Sequence, residues 1–431
     1  MKSERVSPAG IIIWFLALLF FFYEFFLRIL LGTIASDVIF QLGLSAGQFS
    51  TIAAAYYVTY GLMQVPVGLL TEKIGARVTL SAACLICAFG VFLFSVSYGY
   101  TLAFISRLFI GFGSSFAFVS LMLLSLKWFP RKYFSLMTGL SLFLGAIGPI
   151  LAGAPLATLY NAVDGNWRGI LVWLGIFGVV LAVILLLFIR NEPKESERRI
   201  IFLSINQEGG FIYFLRSLLS NKQCLMVLCY TGATYVVLPL FAAYWGTLYL
   251  QARGIELTTA ALIISMQWVG FAIGSPVLGK LSDIAKRRKP YLCIPMVIGA
   301  LASALILFSP LKNETILGFL FFCIGLAVSG MSLSFSVIIE HVPRVFHSTA
   351  LGLNNATSML SAAVVPVIVG VIIQQHQIGP KIQEAALVQG LSLTPVLFCI
   401  AFLVALFGIK ETFCRQQHEV HTLHKYSDFL D

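Results

Sequence analysis

The chain has 431 residues, enough for two or three soluble domains, yet 59% of it is hydrophobic and only 11% charged. A soluble domain sits near a quarter charged. Twenty-eight Lys and Arg with 18 Asp and Glu cannot clothe so many apolar side chains against water. Soluble enzymes, nucleic-acid binders and secreted disulfide scaffolds are excluded, and the net charge of +10 becomes a question of which side of a bilayer the charges occupy.

A spanning helix needs about 20 apolar residues. Taken in chain order, twelve such runs occur, at about 10–35, 47–70, 78–96, 101–124, 136–160, 168–190, 223–250, 258–280, 291–310, 315–339, 347–374 and 389–409. They are too long for barrel strands and lack alternation, so the expected fold is all-α, a polytopic protein of 12 transmembrane helices. The first run follows Lys2 and Arg5 as a signal peptide would, but Glu24 and Arg28 interrupt it and it is too long. Placing the N-terminus inside sorts Lys and Arg as 22 inner, two within spans and four outer, namely Arg168, Arg253, Lys312 and Lys381. Basic residues accumulate on the cytoplasmic side, which puts both termini there. Cys84 and Cys87 form a CxxC inside the third run without partner ligands, so packing is expected, with no disulfide, metal or cofactor.

The polar stretch 191–222 divides the chain into a first six-helix bundle (1–190) and a second (223–410), followed by a cytoplasmic tail (411–431). The halves echo one another. Gly68, Glu72 and Arg77 follow the second run; Gly279, Asp283 and Arg288 follow the eighth, at an offset of 211. Pro149 and Gly153 recur as Pro366 and Gly370 at an offset of 217, and Gly111 recurs as Gly325 at 214. Three matches at nearly one offset indicate a duplicated six-helix unit, the parallel repeat of transporters with a central site.

The glycine–acid–arginine loop after the second run resembles the signature of the major facilitator superfamily, with Glu72 where Asp is commoner. Arg107-Leu-Phe-Ile-Gly111-Phe-Gly113, Gly145-Ala-Ile-Gly148-Pro149 with Gly153, and Trp167-Arg168 are similar to that family's further motifs. The likeness covers about residues 10 to 410. Within the family, Phe22-Tyr23-Glu24-Phe25-Phe26-Leu27-Arg28, Tyr56-Tyr57 and Gln64-Val65-Pro66-Val67-Gly68 look like the phagosomal-transporter branch of intracellular bacteria. That resemblance implies a place in a bacterial inner membrane and amino-acid uptake, with nucleosides carried by some members.

Glu24 is the one acid placed near a bilayer midplane, where an ionised residue costs about 2.5–3.5 kcal/mol on insertion scales. Arg28 lies one turn on, on the same face. The functional expectation is a proton-coupling carboxylate that shares Arg28 with substrate; the structural alternative is a static ion pair. Arg107 joins them as a proton-relay or substrate-carboxylate contact, the alternative being a packing Arg bonded to carbonyls. Its counterpart at an offset of 214 is Phe321, so this charge belongs to one half only. Expected substrate contacts besides Arg28 are Tyr56, Tyr60, Gln64, Tyr230, Thr234, Gln267, Asn354, Asn355 and Ser358, polar groups away from water. Tyr244 and Trp245 fit either a cavity wall or an interfacial belt. The loops Gly68–Glu72–Arg77 and Gly279–Asp283–Arg288 are expected to act as a conformational latch, and Gly145, Pro149 and Gly153 as a hinge in the fifth helix.

Gly274-Ser-Pro-Val-Leu-Gly279-Lys280-Leu281 nearly spells a phosphate loop but closes a membrane helix and lacks Ser or Thr after the lysine. His418, His421 and His424 belong to the polar tail. The whole reads as a monomeric secondary transporter, not an enzyme, importing a small polar metabolite with protons, an amino acid being favoured. Its expected partners are that solute, protons and membrane lipid, with no nucleic acid. The alternatives are a proton-driven exporter of drugs or siderophores on the same fold, and a membrane receptor that does not transport.

Overall fold

A computed structural model describes residues 7–130, 133–191, 210–343, 346–379 and 381–416. The expected linker residues 192–209 and the tail histidines lie outside these, as does the Glu72 side chain. The described regular structure is entirely helical. Eleven helices are long and apolar enough to cross a membrane, or twelve with the pair Ala35–Gln41 and Ala46–Gln64, which meet at 118°.

In chain order the long segments are α1 (Pro8–Thr33), α2 (Ala46–Ile74), α3 (Ala76–Ser95), α4 (Tyr100–Trp128) and α5, which crosses as Leu140–Ala162. There follow α6 (Trp167–Phe188), α7 (Lys222–Ala252), α8 (Leu257–Ala285) and α9 (Lys289–Phe308). Then come α10 (Glu314–Glu340), α11 (His347–His376) and α12 (Glu384–Gly408). Their starts are written in the sequence. Ser45 and Gln48 form a reciprocal capping box at α2, and Asn166, Asn221 and Asn313 cap α6, α7 and α10 through their side chains. Between α2 and α3 Gly75 holds φ at +94°, a conformation open to glycine and strained for other residues.

Several segments are less regular than expected, α5 and α7 among them. α5 runs as three pieces, Phe134–Gly145, Ile147–Leu151 and Ala154–Ala162, broken at Ala146 and again at Ala152–Gly153. α7 carries one π-helical stretch, Leu240–Trp245, a local departure from α-helical hydrogen bonding.

The chain forms two compact units. One comprises Met1–Ile201, Leu240–Ser265 and Ala363–Leu387; the other comprises Phe202–Pro239, Met266–Ala362 and Val388–Asp431. Membership therefore changes within α7, at the start of its π-helical stretch. In the first unit α4 packs on α1, α2 and α3, and α3 on α6. Glycine permits the closest approach: a Cβ on Gly111 would overlap the Tyr56 carbonyl, and one on Gly32 the Ala242 carbonyl. In the second unit α9 packs on α10 and α12, and Gly325 lies against the Gln267 carbonyl as Gly111 lies against that of Tyr56. Cys84 and Cys87 are buried and donate to the carbonyls of Gly178 and Ile110 on neighbouring helices, a packing role.

Candidate functional site

Within the first unit α1, α2 and α4 bring together residues separated by up to 83 positions, Glu24 to Arg107. Helical spacing sets Arg28 one turn beyond Glu24, and its Nη2 lies 3.0 Å from each carboxylate oxygen. Tyr56 of α2 donates its hydroxyl to Glu24 Oε2 at 2.6 Å and accepts from Arg28 Nε at 3.1 Å. Glu24, Arg28 and Tyr56 thus form a closed three-member network, with Glu24 and Tyr56 wholly excluded from solvent. The Arg28 guanidinium also lies 4.2 Å from the Phe25 ring centre and 4.8 Å from that of Tyr60. A delocalised, weakly hydrated cation is suited to such faces.

Arg107 enters from α4, 2% exposed. Its guanidinium lies 5.0 Å from the Tyr56 ring centre, and Nη1 donates to the Leu27 carbonyl at 3.1 Å. Nε has no hydrogen-bond partner, and Arg107 pairs with no acid among the described residues. Tyr56, Tyr57 and Tyr244 are among its electrostatic neighbours, with Arg28. Tyr57 stacks on Tyr244 of α7 at 6.0 Å, and Trp245 meets Phe49 at 5.2 Å. Both Tyr244 and Trp245 are fully buried against these α2 rings, which removes the interfacial-belt reading. Two arginines and one glutamate leave one positive charge without a counter-charge among these three.

The other candidate residues are placed differently. Gln64 donates to the Tyr60 carbonyl one turn back on its own helix. In the second unit Tyr230 donates to the Leu292 carbonyl and Thr234 to that of Tyr230, while Ser358 donates to the Asn354 carbonyl. Asn354 joins Thr231 and Ser334 in a buried triangle with edges of 2.8–2.9 Å. These groups tie α7, α9, α10 and α11 together. Asn355 is half-buried, whereas Gln267 is wholly buried.

The two glycine–acid–arginine loops differ. In the second unit Arg288 holds Asp283 at 2.6 Å and Glu340, at the end of α10, at 2.7 Å. Burial disfavours the Arg288 charge, but hydrogen bonds and charge from Glu340 and Asp283 more than offset it and raise its pKa above the ordinary arginine value. Sequence reading missed Glu340 and Glu411, whose carboxylate accepts from the backbone N–H groups of Arg288 and Lys289 at the start of α9. The available signal was an acid closing a long apolar run and another just past the last. In the first unit Arg77 instead donates to the Leu186 carbonyl, and its N–H to Asn191. In α5, Gly145 sits against the Phe21 ring, Gly148 against the Phe22 carbonyl and Gly153 against Ser265, with Pro149 buried between. Residues 145–153 thus coincide with the breaks in this helix.

A family model described as Major Facilitator Superfamily matches residues 13–366. The protein named probable galactarate/D-glucarate transporter GarP, of Escherichia coli (strain K12), is 24% identical over 88% of this chain and 90% of its own. GudP of Bacillus subtilis (strain 168), named likewise, is 24% identical over 86% and 89%. Among solved structures, a bacterial homologue of the lysosomal transporter Spinster, inward-facing and unoccupied, aligns with a TM-score of 0.76 at 14% identity over 94% of this chain and 98% of that one. The nucleoside transporter NupG aligns at 0.74 and 14% over 94% and 100%.

Proposed function

The chain belongs to the major facilitator superfamily and is a multi-pass secondary transporter, and on that premise we propose that its solute is a sugar acid, a polyhydroxylated carboxylate. The sequence-based preference for an amino acid is set aside, because the relatives aligned over nearly the whole chain are named for galactarate and D-glucarate. The observation that carries the reading is the surplus positive charge of the Glu24–Arg28–Arg107 cluster. A buried arginine with no acid beside it is costly, and an anionic solute offsets that cost. Arg28 and Arg107 are the seats for carboxylate oxygens, with the aromatic faces of Tyr56 and Tyr60 beside them.

Coupling follows from competition. In the empty carrier Glu24 holds Arg28. A solute carboxylate that takes over the Arg28 N–H groups leaves Glu24 without its counter-charge, and a proton then neutralises it. Loading and proton uptake are thereby linked, and a downhill proton gradient drives import. The Arg288–Asp283–Glu340 contacts serve as the latch of the second unit, and α5, broken at Ala146 and Ala152–Gly153, as a hinge. The protein works as a monomer in the inner membrane, with both termini cytoplasmic.

The test is a thermal-shift screen of purified protein against D-glucarate, galactarate, a hexuronate, amino acids and nucleosides. Stabilisation by the sugar acids, lost in Arg28→Lys because an ammonium cannot form the bidentate fork, is the expected result. Stabilisation by amino acids with no response to sugar acids would overturn the proposal.

A further inference from the structure

We infer that the open groove between the ends of α2, α4 and α11 is a phospholipid site, taking an anionic headgroup at its polar end and part of an acyl chain along its apolar end. The groove has a volume of about 660 Å³ and lies wholly in the first unit. Gln48 and Thr51 of α2, Tyr100 of α4, and Val367, Val371 and Gln374 of α11 line it. α2 and α11 are joined there by residues far apart in the chain: Gly47 N–H donates to Gln374 Oε1 at 3.2 Å. Thr51 and Tyr100 pair their hydroxyls at 3.1 Å, which ties α4 to α2.

The groove changes polarity with depth in the membrane. Gln374 belongs to the polar end of α11, which closes at His376. At about 1.5 Å per residue, Val371 lies about 5 Å and Val367 about 10 Å deeper. On α2 the Ser45–Gln48 turn is likewise terminal, and Tyr100 opens α4 at the level where amphipathic rings favour the interface. A phospholipid carries the same gradient, polar at the surface and apolar beneath it. A water-soluble solute matches only the outermost part.

The polar end offers donors. Gln48 Oε1 accepts from Ser45 N–H at 3.0 Å, as Gln374 Oε1 accepts from Gly47. These backbone donors fix the orientation of both amides, and neither Nε2 has a hydrogen-bond partner among the described residues. Phosphodiester and ester oxygens only accept, and an amide nitrogen supplies two donors. Among the described residues lining the groove there is no acid to hold a choline or ethanolamine cation, so phosphatidylglycerol is the matching headgroup. In the orientation proposed above, the site belongs to the outer leaflet.

The experiment titrates delipidated protein in detergent micelles with dimyristoyl phosphatidylglycerol and reads the first retained lipid by native mass spectrometry. Gln374→Glu keeps an oxygen for the Gly47 N–H but exchanges the amide donors for a negative charge, and should weaken that first binding roughly fivefold or more. Gln375→Glu puts the same charge on the next residue, which does not line the groove, and should leave binding within about twofold. Val371→Trp fills the apolar end and should weaken binding roughly fivefold or more, whereas Val364→Trp, on α11 and exposed but outside the groove, should stay within about twofold. Should Val371→Trp fail to fold, the glutamate pair decides alone. Equal effects within each pair would show annular lipid only and overturn the inference, as would a wild type that retains no lipid. Displacement of the lipid by D-glucarate would assign the groove to the solute and overturn it as well.

Discussion

Replacing Glu24 by glutamine separates solute binding from proton coupling, because the amide keeps the size of the carboxylate but cannot ionise. In wild type this carboxylate accepts from Arg28 Nη2 at 3.0 Å to each oxygen and from Tyr56 at 2.6 Å. Hydrogen bonds to charged groups contribute about 1.5–3 kcal/mol each. A solute carboxylate reaching Arg28 must displace at least one of them. Since about 1.4 kcal/mol is a factor of ten, weakening that competition should tighten D-glucarate binding to Glu24→Gln by roughly 10- to 100-fold. Removing the charge from one side of a buried pair costs about 3 kcal/mol or more, so the empty variant should melt lower and recover with ligand. In proteoliposomes under an inward proton gradient, wild type should concentrate labelled D-glucarate, whereas Glu24→Gln should not. Counterflow between equal pools should persist in both. Accumulation by Glu24→Gln at the wild-type level would refute the argument: the carboxylate would then be a structural partner of Arg28, with coupling elsewhere.

Gly111→Ala and Gly325→Ala each place a methyl group within contact distance of a carbonyl on a fixed helix, Tyr56 or Gln267. Overpacking of this kind costs about 1–3 kcal/mol, so both variants should lose melting temperature, while Gly68→Ala, with open space at its Cβ, should not. Glu340→Gln removes the more buried of the two counter-charges of Arg288, at 2.7 Å; transport rate should fall with D-glucarate affinity held within a few-fold, and a matching loss of affinity would show that the latch touches the binding site. For orientation, single cysteines at Asp164 or Lys312 in a background without the eight native cysteines should react with an impermeant maleimide from outside intact cells, and one at Asn221 should not. The reverse pattern would invert the assignment drawn from the 22-to-four charge split.

Composition, hydropathy and charge by themselves determined that this is a helical membrane protein with about twelve spans. Membrane helices satisfy their backbone within one segment, so local hydrophobicity is enough to place them. The same locality made the Glu24–Arg28 pair legible, since residues four apart on a helix share a face. Tertiary structure decided the rest. Whether Tyr56 and Arg107 reach that pair depends on how α2 and α4 pack on α1, which no spacing along one helix contains. Tyr244 and Trp245 fitted either a cavity wall or an interfacial belt, and only their packing against Tyr57 and Phe49 of α2 decided that they are buried within the protein. Asn354 and Tyr230 looked like ligand contacts because a buried polar side chain suggests one, yet they are bonded within the second unit, whereas Gln267 is not. The sequence shows which polar groups enter the membrane; only the packed helices decide which of them find a partner there, because that pairing is made between residues far apart in the chain.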